Sequence, residues 1–357
     1  MTSSTPTSPT TPTSRGGGFG ESALTTPVSP ITNTPLKQFH SYPYTNPPIH
    51  ILQTVTIWLP RPLEDSDPNS TKWLIYLHGG AWRDPECSSK QFIPTVNYLD
   101  QLSDPATMSA IAGFASINYR LSPYPPPAAH PSDPSDPYRN VQHPTHLNDV
   151  CVALAYLSAR FRIEDYGWVG IGHSAGATLW TQLLSDVDVG TVPRPSAAVR
   201  GSLSGLVLLA GIYDLPLFLE LHRAPLVDAK TQRIYEQIVT GAFGEDPVGW
   251  AVASPANARY VGEEWPALGL VVLARSKGDQ LVEEEQDAEI EAVLRQQGWV
   301  GEGEEDGGRG RRRKLWVRQL EGGHDEVWQS NKGQIAGLVQ EVFSRLGFLQ
   351  APLIKME

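Results

Sequence analysis

The chain is short of cysteine, of cationic side chains relative to acidic ones and of long apolar runs, and each shortage removes a class of function. Only Cys87 and Cys151 occur in 357 residues, which fits a reduced compartment better than a secreted disulfide scaffold. Both read as small buried hydrophobes rather than redox groups. Lys and Arg total 28 against 39 Asp and Glu, a formal charge of −11. The clustered cations that neutralise a phosphate backbone are therefore missing, and no nucleic-acid partner is expected. No window approaches the about 18 consecutive apolar residues that a membrane span needs, so no membrane partner is expected either. The opening stretch, MTSSTPTSPTTPTSRGGGFG, has one Arg and no apolar core, unlike a secretory signal or a transit peptide. A cytoplasmic location is the expectation.

What is present is unevenly placed. Residues 1–40 are Ser, Thr, Pro and Gly with few groups to bury, too little to offset the entropy of ordering, and read as a disordered tail. Residues 41–357 read as one domain. IHILQTVTIWL and KWLIYL, parted by PRPLEDSDPNST, suggest an opening hairpin. Further apolar runs follow at 113–119, 167–172, 203–211, 268–274 and 314–320. Helix-length segments lie between them at 90–102, 146–160, 175–185, 230–240, 283–297 and 331–346. Strands apolar on both faces that alternate with helices predict an α/β fold, a mostly parallel sheet with helices on both faces. Two insertions interrupt the alternation: a proline-rich loop at 121–146, of the kind that serves as a lid or pocket wall, and a charged, glycine-rich stretch at 301–314 that reads as a solvated loop.

GIGHSAGA places Ser174 between Gly172 and Gly176, after a strand and before a helix. This G-x-S-x-G arrangement makes a nucleophile elbow: the turn is sharp enough to strain the serine backbone, and residues without Cβ let its two arms approach. A serine hydroxyl is a weak nucleophile, so it needs a base to take its proton and an acid to orient that base. Asp279 and His324, each just past a later strand, follow in the order serine, acid, histidine. Asp214 is the rival acid, but it comes one strand early. Of the nine histidines, His130, His143 and His146 lie in or beside the proline-rich insertion and His222 in a helical segment. Attack on a carbonyl also requires N–H donors for the oxyanion. LIYLHGGAW supplies His78, Gly79, Gly80, Ala81 and Trp82 after a strand, so the amides of Gly79, Gly80 and Ala175 are the expected donors. His78 is expected to orient this loop, His173 to pack, and Trp82 either to stack on a flat substrate or to fill the core.

At these residues the chain resembles the α/β-hydrolase superfamily and, within it, the hormone-sensitive-lipase-like group. YLHGGAWRDP, HPTHLNDVCVAL, GHSAGA and EGGHDEVW look more narrowly like the fungal kynurenine formamidases, a resemblance running from about residue 40 onward. It implies an α/β-hydrolase fold and hydrolysis of N-formyl-L-kynurenine to L-kynurenine and formate, in tryptophan breakdown toward NAD. It further implies a metal-free, cofactor-free cytoplasmic homodimer acting on a small molecule, with Ser174, Asp279 and His324 as its triad and His78 to Trp82 as its oxyanion loop. The other readings are a general carboxylesterase acting on small acyl or aryl esters and a non-catalytic binding module.

Overall fold

The alternating apolar runs become strands of one nine-stranded sheet: β1 (His40–Pro43), β2 (Thr54–Trp58), β3 (Lys72–Leu77), β4 (Ile111–Ile117), β5 (Trp168–His173), β6 (Leu203–Leu209), β7 (Leu270–Ser276), β8 (Val300–Gly301) and β9 (Lys314–Leu320), in the order β1-β2-β4-β3-β5-β6-β7-β9-β8. The computed structural model describes residues 39–349 apart from 48–49, 103–104, 188–189, 191, 261, 305–312 and 330–332. β1 and β2 run antiparallel to their neighbours, and every pairing from β4 to β8 is parallel.

Parallel strands need crossovers, and the helices supply them on both sheet faces. Leu74 and Tyr76 of β3, Val169 and Ile171 of β5 and Val272 of β7 point to one face, where they pack with Val96, Leu99, Val339 and Phe343 from the helices Ile93–Leu102 and Gln334–Arg345. The other face is tryptophan-rich. Trp73 of β3 meets Phe161 of the helix Thr145–Phe161 at 5.4 Å between ring centres. Trp168 of β5 meets Trp180 of the helix Ala175–Leu184 at 5.4 Å. Burying rings of this size contributes about 4–6 kcal/mol each as an upper bound, which makes both faces sources of stability.

Several expectations need correction. β2 and β3 form no hairpin, because β4 lies between them, antiparallel to β2 and parallel to β3. On its other side β2 pairs antiparallel with β1, which begins at His40, inside the stretch expected to be disordered. Residues 1–38 lie outside the described residues, as do 305–312 of the charged stretch. Cys151 is buried but Cys87 only partly so, and both are free thiols. The loop after β4 is irregular as expected. It closes on itself through Leu121 N donating to Tyr138 O at 2.8 Å and Val141 N to Leu121 O at 3.0 Å.

Candidate active site

Ser174 stands between β5 and the helix Ala175–Leu184, with φ 52° and ψ −122°. A side chain at positive φ carries a backbone cost of about 1–3 kcal/mol, which the surroundings must offset. They do so by close approach. A Cβ on Gly172 would stand 2.6 Å from the carbonyl oxygen of Gly176, and one on Gly176 would stand 2.2 Å from that of Leu77. The Ser174 amide donates to Leu209 O at 2.8 Å, which anchors the turn to β6.

Asp279 and His324 leave the ends of β7 and β9, and the structure brings them together. His324 Nδ1 donates to Asp279 Oδ2 at 2.7 Å, with both side chains about 5% exposed or less. The second oxygen, Oδ1, accepts the amides of Leu281 (2.8 Å) and Val282 (3.0 Å), so the carboxylate cannot turn away. With Nδ1 carrying the proton, the neutral ring keeps its lone pair on Nε2. Among the described residues, no hydrogen bond joins the Ser174 hydroxyl to His324. Such bonds are often long before substrate arrives. The link between the two is His173, next to the serine, whose ring centre lies 4.6 Å from that of His324. Asp214 is occupied elsewhere, its Oδ1 accepting the Leu217 amide at 2.9 Å and so capping the helix Leu215–Leu221.

The loop after β3 bends through three successive positive φ angles, 93° at Gly80, 49° at Ala81 and 59° at Trp82. His78 orients it. Its ring stacks on Tyr119 at 4.3 Å, its Nδ1 bonds Gly79 O at 2.9 Å, and the Tyr119 hydroxyl donates to His78 O at 2.9 Å. Burial lowers the His78 pKa to about 4, so it is neutral. One expectation fails here. The Gly79 amide already donates to Gln91 Oε1 at 3.1 Å, because the 3₁₀ turn Ser89–Phe92 places that buried amide beneath the loop. Among the described residues, the amides of Gly80 and Ala175 have no acceptor. Trp82 is 0% exposed and meets Phe243 edge-on at 5.0 Å, which leaves no open face for a substrate ring. The proline-rich loop is tied to this motif, through Ser122 N donating to Trp82 O at 2.8 Å and the Arg83 guanidinium over the Tyr124 ring at 4.6 Å.

His173 does more than pack. It is buried, and its Nε2 donates to His324 O at 3.0 Å, while Gln280 Oε1 accepts the His324 amide at 3.1 Å. Burial first, and the neighbouring His324 second, hold the His173 pKa well below the usual imidazole value. Sequence reasoning missed the parts played by Gln91 and Gln280, since a lone glutamine has no pattern to betray it. Among the described residues, the group with ligand atoms placed for a metal ion is His173, His324 and Asp325, within 4.8 Å of one another. One nitrogen of each histidine is already engaged as above. No helix among the described residues is long and apolar enough to cross a membrane.

No family model matches the chain. It is 33% identical over 295 residues to a kynurenine formamidase-like hydrolase of Fusarium equiseti, covering 82% of this chain and 90% of that one. A kynurenine formamidase of Aspergillus versicolor is 33% identical over 286 residues, covering 76% and 88%. Among solved structures, the butyrate-bound esterase 2 of Thermogutta terrifontis superposes with a TM-score of 0.56 at 16% identity, covering 88% of this chain and 96% of the esterase. At that identity the likeness speaks for the α/β-hydrolase fold alone.

Proposed function

The chain belongs to the kynurenine formamidase family of α/β-hydrolases, and on that premise we propose that it hydrolyses N-formyl-L-kynurenine to L-kynurenine and formate, with Ser174 as nucleophile, His324 as general base and Asp279 as the acid that orients it. The observation that carries the assignment of roles is the 2.7 Å bond from His324 Nδ1 to an Asp279 carboxylate whose other oxygen is fully occupied. It fixes the tautomer in which Nε2 can accept a proton.

Ser174 Oγ attacks the formyl carbon as His324 Nε2 takes the hydroxyl proton. The oxyanion meets the Gly80 and Ala175 amides, the second at the N-terminus of its helix, where the dipole favours negative charge. His324 then gives the proton to the aniline nitrogen, the C–N bond breaks and L-kynurenine leaves. Water attacks the formyl-serine, its proton passes through His324 back to Ser174 Oγ, and formate is released. No step calls on a metal or cofactor. The Gly79 amide supports the loop in this scheme rather than the oxyanion. A homodimer in the cytoplasm, as the family resemblance implies, is part of the same reading, and sedimentation velocity of the purified chain measures the first part.

The test is steady-state kinetics of the wild type and Ser174→Ala on N-formyl-L-kynurenine beside p-nitrophenyl acetate. The expected result is kcat/KM at least about 100-fold higher for the formamide, and a loss of about 10³-fold or more in the variant. Faster turnover of the ester would favour a general esterase, and an active alanine variant would remove the serine from the chemistry.

A further inference from the structure

His324 is held by its main chain as well as by its ring. Its carbonyl accepts from His173 Nε2 at 3.0 Å, and its amide donates to Gln280 Oε1 at 3.1 Å. The two partners come from the two other catalytic segments: His173 directly precedes the nucleophile, and Gln280 directly follows the acid. The His173 ring is buried, and its second nitrogen, Nδ1, has no partner among the described residues. That is the pattern of a neutral imidazole with its single proton committed to the His324 carbonyl.

We propose that His173 and Gln280 are positioning residues that grip the His324 peptide from both sides, His173 binding it to the nucleophile elbow and Gln280 to the acid loop. The inference rests on the roles assigned to Ser174, Asp279 and His324 above. A ring hinged at Cα can swing about its first side-chain torsion even when Nδ1 is hydrogen-bonded, and a displacement of about 1 Å at a reacting atom costs about 100-fold in rate. The Asp279 contact fixes the direction in which the ring points, and the two main-chain contacts fix where it starts from. Histidine joins a small, flat, rigid ring to a donor at this reach, whereas the larger tryptophan and tyrosine rings would place their donors farther out. Asparagine is too short and leucine has no donor. Glutamine can present an N–H at similar length.

The experiment compares kcat and KM on N-formyl-L-kynurenine for wild type, His173→Leu, His173→Gln, Gln280→Leu and His324→Ala, with thermal midpoints for each. His173→Leu should lose about 100-fold in kcat with KM within about threefold of wild type, and His173→Gln should recover at least about tenfold of that loss. Gln280 is exposed, so Gln280→Leu should lower kcat about tenfold with its thermal midpoint unchanged. Wild-type kcat in His173→Leu, equal impairment of the leucine and glutamine variants, or a loss carried by KM overturns the proposal. If His173→Leu does not fold, Gln280→Leu decides, and undiminished kcat there overturns it. His324→Ala separates the two layers of argument. Activity retained in that variant defeats the assigned triad itself, whereas an inactive His324→Ala beside a fully active His173→Leu defeats only the positioning role.

Discussion

Asp287 illustrates a cost carried by a single side chain. It lies in the helix Glu284–Gln296, 2% exposed, with Oδ1 unpartnered among the described residues. Burial above all raises its pKa from 3.8 to about 8, against the pull of Arg275. Between about pH 4 and pH 8 the unfolded chain releases this proton while the folded chain keeps it, so stability falls as pH rises through that window and levels off above it. Asp287→Asn should therefore raise the thermal midpoint by about 3 °C or more at pH 8 and much less at pH 4.5, read by calorimetry at both values. An equal shift at the two pH values would show that the carboxyl is charged in the folded state. The same scale shows what the sequence could disclose at the site. Ser174, Asp279 and His324 stand out as candidates because each sits where a strand hands over to a loop, and order along the chain then ranks them; of these, the structure joins Asp279 to His324. The Gly79 amide was misjudged because its acceptor, Gln91, belongs to a 3₁₀ turn whose direction depends on the packing of Phe92 against Tyr76 at 4.7 Å. The part of His173 was hidden for a similar reason, since its partner is a main-chain oxygen far along the chain.

Among the elements, the helix after the elbow sits unusually close to β3, and glycine is what permits it. Gly176→Ala would bring a methyl group to 2.2 Å from Leu77 O and 2.7 Å from His78 O, both of them backbone atoms that cannot step aside. A loss of at least about 3 kcal/mol in urea unfolding is expected. Gly337, exposed in the helix Gln334–Arg345, has nothing within 4 Å of where its Cβ would be. Gly337→Ala should instead stabilise by about 0.5–1 kcal/mol in the same measurement. Opposite signs for one chemical change would confirm that approach, not glycine content, matters here. The central strands were readable because β3, β4 and β5 are buried at every position, which leaves mostly apolar runs with little alternation. β1 and β8 were not, being four and two residues long and without a pattern. The supposed hairpin failed because adjacency in sequence says nothing of β4, which closes its pairing from a later segment.

Over the whole molecule, charge matters less to the substrate than the formal −11 suggests. N-formyl-L-kynurenine carries one ammonium and one carboxylate at neutral pH and has no net charge for a distant field to act on. kcat/KM should change by less than about twofold between 10 mM and 300 mM sodium chloride. A steep dependence would mean that the true substrate is charged. The strand order has a wider meaning. From β5, which leads into Ser174, to β9, which leads into His324, the sheet takes three lateral steps through β6 and β7, a span of about 14 Å and a rotation of roughly 60–75°. Yet the His324 ring comes to rest 4.6 Å from that of His173 at the tip of β5. Residues 321–324 therefore act as an outrigger, reaching back over β6 and β7. The gap that they close is set by the curvature of the platform beneath, so a change in coil anywhere between β5 and β9 is felt at the serine even when every residue near it is untouched.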